Sequence, residues 1–343
     1  MFSSNTPNLS LPTAFAAKSL VLAATPSVLP HLFPIIENIH SQGIQVLVAG
    51  VDTIPLNNRN GVSELWLNEK LEIKSPEDES KDHSHSHSDL SSVHKLNNWE
   101  STKGSLRINI NDNSVVDMQL ANTLFSTGHD HTLFYLDSSR RGSGELTDQL
   151  EVILPLGLVK EEKAAVTDRW TPLYEGQTFT ITNCVGNLLK QVDGKGASSY
   201  LEKSKLLMDL GSKDTQVYVK IHRKAGNYKT ILRYEVIAGG GGWGAKADII
   251  ALTPHATISK GDKIEFFMLT PSDRYSSDSQ SLRNSLDNSI VIECSQEEVS
   301  YNNGATGDDA STLSYFGCGS EKGFTYKGVG HASSGEKLAF ALN

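Results

Sequence analysis

The chain has 343 residues, a formal net charge of −9 and a pI near 5.7, and its length suits two domains. The acidic charge is spread along the chain without a basic cluster. This argues against a general nucleic-acid-binding role, because phosphate recognition needs concentrated positive charge. Three cysteines without a CxxC spacing argue against a disulfide framework or a structural zinc site and indicate a reducing, intracellular compartment.

Residues 1–28 are predicted to form a loose terminus with some helix and to include a possible targeting segment. Residues 1–36 contain no acidic residue and many Ser, Thr and Ala, which is half of the pattern of a mitochondrial presequence; the other half, arginine, first occurs at Arg59. No apolar run approaches the roughly 20 residues of a membrane-spanning helix. The sequence therefore predicts a soluble intracellular protein, with cytoplasm and mitochondrion both open and the mitochondrion preferred.

The first predicted lobe spans residues 29–137. Its apolar patterns predict one or two helices within residues 11–42 (the second at Leu29–His40), strands at Ile44–Val51 and Val62–Leu67, a hairpin of Ser105–Ile110 and Val115–Leu120, a short helix at Ala121–Thr127 and a strand at Thr132–Leu136. Residues 75–98 are acidic, Ser-rich and almost without apolar groups. Because such a segment cannot bury enough surface to offset the entropy of ordering, it is predicted to be a disordered insertion.

A linker at residues 138–165 is predicted to lead into a second lobe, residues 166–343. The predicted elements are strands at Gln177–Thr182, Asn187–Val192, Gln216–Arg223, Thr230–Ile237, Lys263–Leu269 and Ser289–Cys294, with one helix at Ser199–Leu210. Strands outnumber helices in this lobe. The predicted class is α+β, with two lobes that each hold a mixed or antiparallel sheet with helices packed on it.

The glycine-rich segment Gly239–Gly244 (GGGGWG) contains the pattern G-x-G-x-x-G after a predicted strand. A dinucleotide site also requires a helix that begins at the loop, whereas a short β-like segment closed by Pro254 follows in this chain. A turn between strands is therefore favoured over a phosphate site. Its bare backbone amides beside Trp243 can nevertheless hold an anion or another small ligand.

Histidines alternate in the predicted insertion at His83, His85 and His87, with His94 nearby. Alternate spacing places three imidazoles on one side of an extended chain, where they can chelate a divalent metal ion. Nothing in the surrounding sequence positions them, and ordering the segment costs entropy. Adventitious metal affinity is the favoured interpretation, and no metal site is assigned.

Cys318 lies in the segment Phe316–Ser320 (FGCGS), where the flanking glycines leave the sulfur accessible if the segment is an exposed loop. A nucleophilic cysteine needs a base within hydrogen-bond reach, and His331 and Glu321 follow in the sequence. A small buried hydrophobic residue is the favoured interpretation, because no local signature of a cysteine protease is present. No catalytic residue is assigned.

Four segments of the second lobe carry a resemblance to a known family. They are Tyr174–Gly194 (YEGQTFTITNCVGNLLKQVDG), Ala197–Leu201, Ile290–Ser295 (IVIECS) and Tyr315–Glu321 (YFGCGSE). Together they resemble the C-terminal FIST domain (F-box and intracellular signal transduction), with its Gly-Asn pair, its strand ending in Asp-Gly and its closing aromatic-Gly stretch. The Gly239–Gly244 loop resembles one in fungal members.

The N-terminal FIST partner domain would be residues 29–137, where the resemblance rests on Ile44–Val51 and on residues 120–128 (LANTLFSTG). The sequence shows no F-box, so the resemblance does not imply recruitment to a ubiquitin ligase. It implies a small-molecule-sensing or partner-binding role, with amino-acid-like ligands, and it implies no catalytic residues.

The leading hypothesis is therefore a small-molecule-sensing or partner-binding module without a cofactor, whose site lies between the two predicted lobes. The candidate ligand-contacting residues are Gly239, Gly240, Gly241, Gly242, Trp243, Gly244, Cys318 and Glu321. One alternative is a cysteine-dependent enzyme that uses Cys318 as nucleophile and His331 as base. Another is a mitochondrial assembly or scaffold protein.

Overall fold

The computed structural model describes residues 2–4, 9, 11–54, 59–74, 104–111, 114–139, 143–160, 164–210, 215–225, 228–239, 248–270, 287–295 and 314–343. It is mostly β, with 48% of the described residues in strands and 11% in helices, arranged in several sheets. The chain divides into two compact units. Unit 1 comprises Met1–Thr167, Gln280–Gly328 and Ser334–Asn343, and unit 2 comprises Asp168–Ser279 and Val329–Ser333.

Strands make up most of the secondary structure in the described part of the chain. They are β1 Phe2–Ser4, β2 Ser19–Ala24, β3 Gln45–Gly50, β4 Val62–Leu67, β5 Glu72–Lys74, β6 Ser105–Asn111, β7 Ser114–Gln119, β8 Leu133–Leu136, β9 Gln149–Ile153, β10 Ala165–Thr167, β11 Trp170–Pro172, β12 Phe179–Val185, β13 Leu188–Val192, β14 Lys195–Gly196, β15 Val217–Ala225, β16 Tyr228–Gly239, β17 Ile250–Leu252, β18 Lys263–Leu269, β19 Ser289–Cys294, β20 Phe316–Ser320, β21 Phe324–Tyr326, β22 Val329–His331 and β23 Lys337–Ala341. The helices are α1 Leu29–Ser41, α2 Leu124–Thr127, α3 Ser199–Glu202 and α4 Lys205–Leu210.

The first sheet of unit 1 has the strand order β1-β4-β2-β3-β8, with α1 connecting the parallel strands β2 and β3. The buried residues of α1, Leu29, Leu32, Ile36 and Ile39, recur at intervals of three and four, which places them on one helix face. That face packs on alternate residues of the central strands, such as Leu22 of β2. The predicted helix Leu29–His40 is thus confirmed, and the helix ends at Ser41, just before Gly43, whose φ is +83°.

The segment before α1 differs from the prediction of a helix. Ser19–Ala24 is the strand β2, and all six of its residues are buried because it lies between β3 and β4 and is covered on both faces. A strand buried on both faces is a continuous apolar run without alternation, so its sequence is compatible with a buried helix as well. Pairing with two neighbouring strands decided the conformation of this segment.

The main core of unit 1 lies on the face of the first sheet opposite α1. Two further sheets contribute to it, one with the order β21-β7-β6-β9-β5 within this unit and one with the order β10-β23-β19-β20. The predicted hairpin of residues 105–120 is confirmed as β6 and β7, with Leu106 paired to Met118.

The predicted linker and the predicted second lobe both need correction. Within residues 138–165, β9 pairs in parallel with β6, and its Leu150 and Val152 are buried in the main core of unit 1. Strands β19, β20 and β23 of the predicted second lobe add Ile292, Phe316 and Leu338 to the same core. These segments belong to unit 1 because long-range strand pairing places them there.

Unit 2 is built on a closed six-stranded antiparallel barrel with the order β12-β13-β17-β16-β15-β18, in which β18 also pairs with β12. The predicted alternation along β15 is confirmed, since Val219 and Ile221 are fully buried in the barrel core with Ile264 and Phe266 of β18. The interior of a barrel of this size is filled by side chains. The predicted single helix Ser199–Leu210 is two short helices, α3 and α4.

Candidate functional site

The predicted glycine loop is described only at its first residue. Gly239 ends β16 and pairs with Ile250 of β17, and a Cβ at Gly239 would lie 3.0 Å from the Ile250 side chain. This glycine therefore permits a close approach of two strands. Gly240–Gly244, including Trp243, lie outside the described residues, as do the histidines at positions 83, 85, 87 and 94.

The segment Phe316–Ser320 is not the exposed loop on which the candidate site depended. It is strand β20, its five residues are all buried, and it pairs in parallel with β19. Burial raises the pKa of the Cys318 thiol to about 12, and the charge of Glu293 adds to the rise. A reactive cysteine has a lowered pKa and an accessible sulfur, so these surroundings do not favour a nucleophile. The proposed base, His331, is a buried residue of β22 in unit 2.

The glycines beside Cys318 have a packing role instead. Gly319 exchanges backbone hydrogen bonds with Thr53, and a Cβ at Gly319 would collide with Thr53 Oγ1 and lie 3.0 Å from Glu293 Cγ. The Thr53 and Ser295 hydroxyls and one Glu293 oxygen are buried without a hydrogen-bond partner in the described part of the chain. Three polar side chains thus converge tightly on a backbone that only glycine can provide.

Glu321, another predicted ligand-contacting residue, follows β20 at the same end of the strand. Its N–H donates to Asp52 Oδ2 at 2.8 Å, and its carboxylate is 2.5 Å from Arg59 Nη1. Burial raises the pKa of Asp52, and the charge of Glu321 adds to the rise, while the Glu321 N–H and Arg59 oppose it. Both functional groups of Glu321 are therefore engaged within the protein.

A cavity of about 300 Å³ lies elsewhere in unit 1, between α1, β8 and the segments that flank β8. Its apolar walls come from two elements. Alternate residues of β8, Phe134 and Leu136, face the α1 side of the first sheet, and α1 contributes Phe33 and Ile36, while Leu146 follows β8. The rings of Phe33 and Phe134 stack with their centroids 6.1 Å apart. We call this cavity the α1–β8 pocket.

Four polar side chains complete the α1–β8 pocket: Glu37, Thr127, His129 and Thr132. Glu37 lies on α1, one turn after Phe33, and is exposed. Thr127 and Thr132 belong to a cluster of three hydroxyls, in which Thr132 Oγ1 is 2.8 Å from Thr123 Oγ1 and 3.0 Å from Thr127 Oγ1. An apolar cavity with a few fixed polar groups is the usual form of a small-molecule site.

One part of this pocket lies in a segment that the sequence analysis singled out, although no site was predicted there. The segment at residues 120–128 contributed to the family resemblance, and it contains Thr123 and Thr127. The threonine spacing of four and then five residues around Gly128 is the signal that is visible in the sequence. The partners from α1 and β8 are distant in sequence and are brought together only by the sheet.

The described residues exclude two further features. They contain no group of three or more His, Cys, Asp or Glu side chains placed to hold a metal ion. Among the described helices, none has the length and apolar character needed to cross a membrane.

Comparison with known proteins adds no assignment. No protein-family model matches the chain, and searches of curated proteins and of solved structures find no match either. The FIST resemblance and the mitochondrial location therefore stay predictions from the sequence.

Proposed function

We propose that this protein binds a small molecule in the α1–β8 pocket and acts as a ligand-sensing or partner-binding module of the FIST type. The observation that carries the proposal is the pocket itself. Its volume of about 300 Å³ lies at the lower end of the range for ligand sites, and it combines apolar walls with a few polar groups. The FIST resemblance supports a sensing role rather than catalysis.

The floor of the pocket is buried and its mouth is accessible, which suits reversible binding. Ile36, Phe134 and Thr132 are buried, whereas Phe33 and Leu146 are exposed, at 37% and 42%. A ligand would therefore cover exposed apolar surface at the mouth without a rearrangement of the core. Burial of such surface is the main favourable contribution to binding.

The test uses a matched pair of variants that place a new indole at an exposed leucine. Leu146→Trp fills the mouth of the pocket, whereas Leu156→Trp makes the same change at an exposed position that does not line it. Native mass spectrometry of the purified chain, followed by a thermal-shift screen of metabolites, identifies ligands. We expect Leu146→Trp to lose the binding and Leu156→Trp to retain it. A ligand set that binds both variants equally would refute the assignment of the pocket.

A further inference from the structure

The hydroxyl groups of the α1–β8 pocket have their protons engaged inside the protein. Thr123 Oγ1 donates to the carbonyl oxygen of His129 at 2.8 Å, and Thr127 Oγ1 donates to the carbonyl oxygen of Thr123 at 3.2 Å. Each hydroxyl has one proton and two lone pairs, and a carbonyl oxygen can only accept. The proton of Thr132 then goes to one of the two neighbouring hydroxyl oxygens. Thr127 and Thr132 consequently each have a lone pair with which to accept a hydrogen bond from a ligand.

The other side of the pocket attracts positive charge. The carboxylate of Glu37 is an acceptor, and within the described residues it takes part in no ion pair. Phe33 is one helical turn away and stacks on Phe134, with 24° between the ring planes. Aromatic faces attract cations through their quadrupole. A carboxylate beside a pair of aromatic rings is suited to an ammonium group attached to an apolar body.

We infer that the α1–β8 pocket selects organic ammonium ions with an apolar body over neutral or carboxylate-bearing molecules of the same shape. The inference rests on the proposed small-molecule function and names the ligand class of that site. An ammonium group supplies up to three donors to Glu37, Thr127 and Thr132, all of which present acceptors. Among the described residues no Lys or Arg lines the pocket, so a ligand carboxylate would be repelled by Glu37 and would find only the imidazole of His129 as a basic partner.

Three probes share a phenyl ring on a two-carbon chain and differ only in the polar group, so they separate recognition of the ammonium group from recognition of the apolar body. Phenethylammonium has the cation, 2-phenylethanol replaces it with a neutral hydroxyl, and phenylalanine adds a carboxylate. A partly exposed ion pair is worth about 1 kcal/mol, so phenethylammonium should bind about fivefold more tightly than 2-phenylethanol. Phenylalanine should bind more weakly than phenethylammonium. Ligand-observed NMR titration of the full chain at millimolar probe concentration measures all three dissociation constants.

Two variants test whether the carboxylate of Glu37 causes the preference for the amine over the alcohol. Glu37→Gln keeps the shape and should bring the ratio between phenethylammonium and 2-phenylethanol close to one, whereas Glu69→Gln changes an exposed carboxylate outside the pocket and should leave the ratio unchanged. Equal binding of the amine and the alcohol, an unchanged ratio in Glu37→Gln, or no binding of the amine overturns the inference. The proposed function fails separately if Leu146→Trp leaves the binding of every ligand unchanged.

Discussion

Gly319→Ala should destabilise unit 1 strongly, because the residue has no room for a side chain. The added Cβ would collide with Thr53 Oγ1 and press on Glu293 Cγ, and all of these groups are buried. Moving β20 away would stretch the hydrogen bonds of Gly319 O with the N–H groups of Asp52 and Thr53, now 3.1 and 3.3 Å long. Overpacking costs about 1–3 kcal/mol and each of the two loosened hydrogen bonds about 1 kcal/mol, so we expect a loss of about 3–5 kcal/mol.

Urea denaturation of the full chain measures this loss as a shift of the transition that reports unit 1. The control is Gly330→Ala in unit 2, at an exposed glycine where a Cβ would meet no atom within 4 Å, and it should shift the transition of either unit by less than about 0.5 kcal/mol. A second background tests the cause. Thr53→Ala removes the colliding Oγ1 and should reduce the cost of Gly319→Ala to about 1 kcal/mol, whereas Thr53→Val keeps an atom there and should not. An equal cost in both backgrounds would refute the steric explanation.

Three further predictions follow from the described contacts. Cys318 should resist a thiol reagent in the native protein at neutral pH and react only after unfolding, because it is buried and its pKa is raised to about 12; rapid native labelling, mapped by mass spectrometry, would contradict this. Burial raises the pKa of Asp52, so ionisation of this carboxyl costs more free energy in the folded protein than in the unfolded chain. The stability that the neutral carboxyl provides is therefore fully present below the unfolded pKa near 3.8 and is lost as pH rises through the folded pKa. Asp52→Asn should accordingly raise the urea midpoint at pH 7 and have little effect at pH 3.5, and an equal gain at both pH values would sink this account. Arg223→Lys should destabilise the barrel by about 1–3 kcal/mol, because Nε and Nη2 of Arg223 both bind the buried carboxylate of Asp262, at 3.2 and 2.8 Å, and lysine cannot reproduce that fork; calorimetry showing an unchanged transition would count against it.

Local patterns predicted many elements of the fold well. The strands Val62–Leu67, Lys263–Leu269 and Ser289–Cys294 have the predicted bounds, and α1 differs from its prediction by one residue. Such segments carry their signal within a few residues, as an apolar run or as a period of two or 3.6. In these segments the local pattern and the tertiary surroundings favour the same secondary structure, so the prediction from sequence is correct.

The favoured interpretation of Cys318 as a small buried residue is confirmed, whereas the exposed loop that the candidate ligand site required at Phe316–Ser320 is not found, for an identifiable reason. Two glycines around a cysteine are typical of an exposed turn, and the sequence contains nothing that shows a second chain segment lying against them. In the structure, Thr53 occupies the space that a side chain at Gly319 would need, although it lies far away in sequence. The glycines thus indicate close packing rather than an open loop.

The sequence by itself determined the acidic, cysteine-poor character of the chain and the nature of most strands, because charge and side-chain periodicity are local properties. Tertiary structure alone decided which strands pair: the closure of the barrel by β18, the return of β19, β20 and β23 to unit 1, and the meeting of Phe33, Phe134 and Leu146 in one pocket. These features depend on contacts between segments that are distant in the chain. Such contacts are selected by the burial of apolar faces and the pairing of backbone groups over the whole unit, and no short stretch of sequence contains them.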